Sequence, residues 1–131
     1  MFRNRGKDKF FQNFFLRVFI TSIVVVSTAA TIAHAESLKS EINARLRPSQ
    51  VHEICEKVPK GKTFIWNFTS TGNVNFNIHR HVGKEVISPI DQKNITQNQG
   101  ELKVDADANW CLMWTASSSQ KVHLKGSWSL K

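Results

Sequence analysis

FIWNFTSTGNVNFNIH, residues 64–79, is the stretch that decides the fold. Large apolar side chains alternate with polar or smaller ones over residues 64–68 and again over residues 74–79. A period of two places alternate side chains on opposite faces of a β-strand. Thr71-Gly72-Asn73 lies between the two runs and is typical of a turn, so the stretch predicts a β-hairpin.

The same period recurs toward the C-terminus. Residues 110–114 are apolar on both faces, which predicts a central strand, and residues 122–130 predict a final strand. Weaker strands are expected at residues 85–88, ending at Pro89, and at residues 99–104, with the polar residues 90–99 forming the longest loop. The pattern predicts an all-β fold, an antiparallel β-sandwich of about six to eight short strands.

The segment before the first strands has a different spacing. Leu38, Ile42 and Leu46 recur every four residues, and Pro48 follows. This spacing predicts a short N-terminal helix over residues 37–46. Residues 36–50 are therefore expected to be a helix and linker, and residues 51–131 the sandwich domain.

The first 35 residues predict a cleavable signal peptide. Five basic residues precede position 18, an uncharged apolar run follows, and Ala33-His34-Ala35 matches a signal-peptidase site. The apolar run is shorter than the roughly 20 residues that cross a bilayer, so the alternative of an uncleaved anchor is less favoured and no transmembrane segment is expected in the mature chain. The protein is predicted to be secreted or periplasmic.

Much of the apparent basicity belongs to this signal. Residues 1–35 hold five of the 18 Lys and Arg residues and one of the ten acidic residues, so the net charge falls from +8 to +4 after cleavage. The remaining Lys and Arg residues are scattered and interrupted by acids. Nucleic-acid binding needs basic residues clustered on one face, so we expect no nucleic-acid partner.

Two cysteines, Cys55 and Cys111, lie in the mature part. In an oxidising compartment such a pair is expected to form a disulfide, which a domain of this size can use as an added constraint. A free thiol pair, or metal ligation together with histidines, are the alternatives.

His79 and His81 are two residues apart on a predicted strand, so both side chains face the same way. Such a pair could provide two ligands for Zn²⁺ or Cu²⁺, although a zinc site needs at least three protein ligands. Candidates for the others are His52, His123, Asp91, Asp105 and Asp107. The alternative is that both histidines are solvated surface residues without a cofactor.

Catalytic motifs are not found in this sequence. It has no Gly-x-Ser-x-Gly elbow and no Gly-rich phosphate loop, and Cys111 fits a disulfide better than a nucleophile. We therefore expect no enzymatic activity. The four tryptophans are predicted to lie mostly in the core, and an exposed one would be a hot spot for a partner.

Four segments in this order resemble a GOLD (Golgi dynamics) domain: residues 55–61, 64–68, 73–79 and 110–114. The resemblance covers about residues 51–130. In the cargo-receptor members of that family a cysteine before the first long strand pairs with one late in the domain, and Cys55 and Cys111 match those positions. The family fold is an antiparallel β-sandwich.

The resemblance implies an extracytoplasmic, non-catalytic binding or interaction module. Its partner would be a protein, a lipid or a carbohydrate. The coiled coil and membrane span of the cargo receptors are not seen before Lys131, so a soluble exported form is expected. The alternative function is a small extracytoplasmic metal-binding protein that uses His79 and His81.

Overall fold

The regular structure of residues 38–131, the part of the chain that this computed structural model describes, consists of β-strands. The strands are β1 (Leu38–Leu46), β2 (Val51–Val58), β3 (Thr63–Val82), β4 (Glu85–Lys103), β5 (Ala108–Ala116) and β6 (Val122–Leu130). All of their pairings are antiparallel and join them into a six-stranded sheet. The all-β, antiparallel prediction is confirmed. The predicted signal peptide, residues 1–35, lies outside the described residues.

The long strand β3 organises this sheet. Strand β4 pairs with one edge of β3, and the opposite edge is shared by two strands. Residues 64–70 of β3 pair with β6, and residues 74–80 pair with β5. Strands β1 and β2 extend the sheet by pairing with β6 and β5, respectively. The sheet thus has two halves that share the β3–β4 hairpin.

Strand β3 bends between the two halves. Its register with β4 shifts between Thr69 and Val74, and the ring centroids of Phe68 and Phe76 lie 4.9 Å apart across the bend. The predicted turn at residues 71–73 is therefore wrong, because those residues form a bend inside one strand. Gly72 occupies the bend, where a Cβ atom would lie 2.7 Å from Cγ1 of Val122.

The core lies between the facing halves of the curled sheet. Its buried side chains come from both halves and include Phe64, Phe68, Phe76, Ile78, Leu112 and Leu124. All four tryptophans are at most 4% exposed, which confirms their predicted core position. The indole nitrogens of Trp66 and Trp110 donate hydrogen bonds to Oδ1 of Asn98 and to the carbonyl oxygen of Ala106.

The predicted helix over residues 37–46 is wrong over its described part. Residues 38–46 form β1, an edge strand paired with β6. Ile42 and Leu46 are buried and the residues next to them are exposed, as in a strand with one face inward. A spacing of four fits both periods, because it is two strand repeats as well as about one helical turn. Residues 38–46 form a strand and not a helix because they pair with β6.

The predicted loop at residues 90–99 is also wrong, because these residues form the middle of β4. Among the strands of residues 38–131, β4 pairs only with β3, and it is exposed along most of its length, so polar residues are tolerated on both of its faces. Pro89 does not end the strand. It lies at a register shift on this edge strand, a position where the missing N–H group does little harm.

Two further strands lie where the sequence predicts them, since β5 covers residues 110–114 and β6 covers residues 122–130. Gly83, with a φ of 60°, lies in the turn between β3 and β4. Within residues 38–131, no helix has the length and apolar character needed to span a bilayer.

Candidate functional site

A disulfide joins two paired strands on the outer face of one half of the sheet. Cys55 of β2 lies opposite Cys111 of β5 in the strand register, and the two sulfur atoms are bonded. The bond confirms the predicted pairing of these cysteines. It closes a chain segment of 56 residues and fixes β2 against β5.

His79 lies beside this disulfide and is only 5% exposed, although its side chain is on the outer face. Its Nδ1 atom is 2.7 Å from Oδ1 of Asn77. A carbonyl oxygen only accepts hydrogen bonds, so Nδ1 carries a proton and donates it. In the neutral ring the lone pair of the histidine is then on Nε2, the nitrogen on the opposite side of the ring.

A carboxylate faces that second nitrogen. Oε1 of Glu53, on β2, lies 3.4 Å from Nε2 of His79. The two residues belong to the strands on either side of β5, so their side chains meet above β5. The Sγ atom of Cys111 belongs to the same group, in which all three atoms lie within 4.8 Å of one another, but its bond to Cys55 removes it as a thiolate ligand.

The protonation of His79 is governed by its burial. Burial lowers the pKa of His79 below the ordinary value of 6.5, Glu53 acts in the opposite direction, and His81 lowers the pKa further. Removal from water disfavours the charged imidazolium. The neutral form, with a free lone pair on Nε2, is therefore favoured at neutral pH.

His81 is close to His79, as their spacing in the sequence predicts. The two ring centroids are 5.2 Å apart with the rings nearly perpendicular. His81 is exposed to solvent, in contrast to His79. The role of the pair in metal binding stays a prediction.

The other residues predicted as ligands have contacts of their own. His52 packs against the ring of Trp114, and His123 contacts Oδ1 of Asn43 at 2.8 Å through Nε2. Asp91 pairs with Lys93, Asp105 pairs with Arg80, and Asp107 accepts a hydrogen bond from the backbone N–H of Lys60.

Glu53 was missed by the sequence reasoning. The signal that could have found it is the disulfide, which places β2 beside β5. Glu53 is two residues before Cys55 and so shares its face of the strand.

A second feature that the sequence reasoning missed is the tip of the β3–β4 hairpin. We define the hairpin tip as residues 81–87. Pairing between β3 and β5 ends at Arg80, so the described residues beyond it pair only with each other. The tip exposes three large aliphatic side chains, those of Val82, Val86 and Ile87, at 45%, 55% and 39%.

The base of the hairpin tip is anchored to the core. The guanidinium of Arg80 lies 5.5 Å from the centre of the Trp110 ring, and its Nε atom is 3.6 Å from Oδ1 of Asp105. These contacts of Arg80 hold the hairpin in place at the point where its exposed apolar residues begin. Lys84 and Glu85 form its exposed polar end.

The fold of this chain is similar to that of a solved structure. The chain is similar to the crystal structure of Aeromonas hydrophila PliG, a periplasmic lysozyme inhibitor of g-type lysozyme, with a TM-score of 0.53 and 15% sequence identity. The similarity covers 71% of this chain and 86% of that protein. At this identity it shows a shared β-rich, sandwich-like fold. No protein-family model and no curated protein sequence matches the chain.

Proposed function

We propose that this protein is an exported, non-catalytic binding protein whose hairpin tip binds a partner protein. The observation that carries the proposal is the tip itself, where the hairpin continues past the end of its pairing with β5. It exposes three aliphatic side chains, Val82 and Ile87 on one face and Val86 on the other. Exposed apolar side chains grouped on a protrusion, with charged residues beside them, are typical of protein-binding surfaces.

The fold neighbour supports the same class of function. PliG is an inhibitor of an enzyme, and its partner is a protein. We take a lysozyme as the partner class to be tested first. A protruding hairpin is suited to a cleft-containing partner, since it can bury its aliphatic side chains without a change in the sheet. Neither the tip nor the neighbour supports a lipid or carbohydrate partner.

The export of the protein belongs to the proposal as well. Residues 1–35 have the composition of a signal peptide, and the mature part carries the Cys55–Cys111 bond, which persists in oxidising compartments. The fold neighbour is periplasmic. These three observations support a location outside the cytoplasm.

The GOLD-like character of the sandwich fold is retained only as a proposal. Many of the large apolar residues behind the resemblance, such as Phe64, Phe76, Ile78 and Trp114, are buried in the core. A pattern of core positions supports a fold more than a role. The family would imply an extracytoplasmic interaction module, the same class that the tip and the neighbour support.

Binding to a g-type lysozyme tests the proposal. Residues 36–131 contain every described strand and would be purified with the disulfide formed, then titrated into the lysozyme by calorimetry while the lytic activity is measured in parallel. We expect saturable binding with a Kd in the micromolar range or tighter and a loss of lytic activity. The absence of both binding and inhibition would contradict the lysozyme proposal.

A further inference from the structure

We propose that Glu53, His79 and His81 form a Zn²⁺ site on the outer face of the sheet. This inference does not rest on the proposed partner protein, although His81 belongs to the hairpin tip and pairs with Val86. It begins with two acceptor atoms that face each other, the carboxylate Oε1 of Glu53 and the Nε2 atom of His79. Because Nδ1 donates to Asn77, neutral His79 presents a lone pair, not a proton, to Glu53.

A cation between these two atoms satisfies both. The observed separation of 3.4 Å matches a tetrahedral zinc site, in which two ligand atoms at about 2.1 Å from the ion lie roughly 3.4 Å from each other. The carboxylate and the lone pair are thus arranged for a metal ion.

The hydrogen bond to Asn77 has the form found around metal-bound histidines. A ligating imidazole commonly donates its other N–H group to an oxygen, which fixes the tautomer and the ring orientation. Asn77 does this for His79 at 2.7 Å. Asn77 lies two residues before His79 on the same face of β3, so the strand itself supplies this support.

His81 provides the third ligand. Its ring centroid is 5.2 Å from that of His79, and two imidazoles on one tetrahedral zinc have ring centres roughly 5 Å apart. The side chain is exposed, so rotation about its side-chain bonds can turn a nitrogen toward the ion. Two histidines and one glutamate form a three-ligand set with a fourth position open to water.

The two imidazole ligands of the proposed site favour a transition-metal ion. Imidazole nitrogens suit Zn²⁺ and its neighbours, whereas Ca²⁺ requires six to eight oxygen ligands. The disulfide beside the site keeps the thiolate of Cys111 out of the ligand set. We therefore expect Zn²⁺ to bind to the oxidised protein and Ca²⁺ not to compete.

The test is calorimetric titration of the oxidised residues 36–131 with Zn²⁺, compared with the Glu53→Gln and His81→Ala variants. Glu53→Gln keeps the shape of the side chain but removes its charge, and His81 is exposed, so neither change removes core packing. His123→Ala is the matched control, because His123 lies on β6, the strand that pairs with the other half of β3. Circular dichroism verifies that each variant is folded.

We expect one Zn²⁺ per chain, an affinity at least tenfold lower in both Glu53→Gln and His81→Ala, and an unchanged affinity in His123→Ala. An excess of Ca²⁺ should leave the Zn²⁺ titration unaltered. The proposal is overturned if no saturable Zn²⁺ binding is measured, if Ca²⁺ displaces Zn²⁺, or if folded Glu53→Gln and His81→Ala variants bind Zn²⁺ as tightly as the unmodified protein does.

Discussion

Trp66 and Phe76 lie ten residues apart on strand β3, yet their ring centroids are only 5.7 Å from each other. Ten residues of straight strand span about 33 Å. Strand β3 therefore folds back on itself, and its two ends contribute to opposite walls of one core. The bend at Gly72 makes this contact possible.

The first prediction concerns the bend. A Cβ atom at position 72 would lie 2.7 Å from Cγ1 of the buried Val122, so Gly72→Ala forces one of these groups to move. We expect a loss of about 1–3 kcal/mol in the free energy of unfolding, measured with urea. The adjacent, exposed Asn73→Ala is the control and should change stability little.

A double variant distinguishes this overlap from an effect on the unfolded chain. Adding Val122→Ala to Gly72→Ala removes the overlapping methyl groups, so the two losses of stability should sum to more than the loss in the double variant. Strict additivity would show that contact with Val122 is not the cause.

The second prediction concerns the disulfide. Replacing both Cys55 and Cys111 by alanine opens a segment of 56 residues, which costs about 4 kcal/mol in the chain-entropy estimate. The variant should melt at a lower temperature than the oxidised protein and close to the temperature of the reduced protein. Equal melting temperatures for the oxidised protein and the variant would show that the bond adds no stability.

The third prediction concerns acidification. Burial lowers the pKa of His52 below 6.5, so the unfolded chain binds a proton more tightly at this residue than the folded protein does. The contribution of His52 to stability is complete above pH 6.5 and is lost as the pH falls toward its folded-state pKa. Melting temperatures between pH 7.5 and 5 should therefore decrease less in His52→Phe, which keeps a ring against Trp114.

The matched control for this pH experiment is Val51→Phe, because Val51 is the exposed neighbour of His52 on β2 and has no ionisable group. We expect the melting temperature of that variant to decrease with pH as steeply as that of the unmodified protein. A His52→Phe variant whose pH dependence is unaltered would contradict the role of His52.

The strands that contribute most to the core were predictable from the sequence. Residues 64–68 and 74–78 alternate because their faces differ in burial, and residues 110–114 are apolar on both faces because both faces are largely buried. A glycine flanked by polar residues is typical both of a turn between strands and of a bend within one strand, so the local pattern at Gly72 predicts a turn. The pairing of residues 64–70 with β6 and of residues 74–80 with β5, and not with each other, distinguishes them.

The errors elsewhere have physical causes of the same kind. Strand β4 is exposed on most of its length, so its sequence carries no apolar alternation that would mark it as a strand. In the candidate zinc site, His79 and His81 could be paired by spacing alone. Glu53 joins them only because β2 and β3 flank β5, a tertiary arrangement that local patterns do not encode.

A comparison of Val86→Glu with Val51→Glu in the g-type lysozyme titration tests whether the hairpin tip binds the partner protein. Val86 is 55% exposed at the tip and Val51 is 48% exposed on β2, so the two variants make the same chemical change at similarly exposed positions. The proposed function predicts a Kd at least tenfold higher for Val86→Glu and one within twofold of the unmodified protein for Val51→Glu. Equal affinities for the two folded variants, or no binding by the unmodified protein, would contradict it.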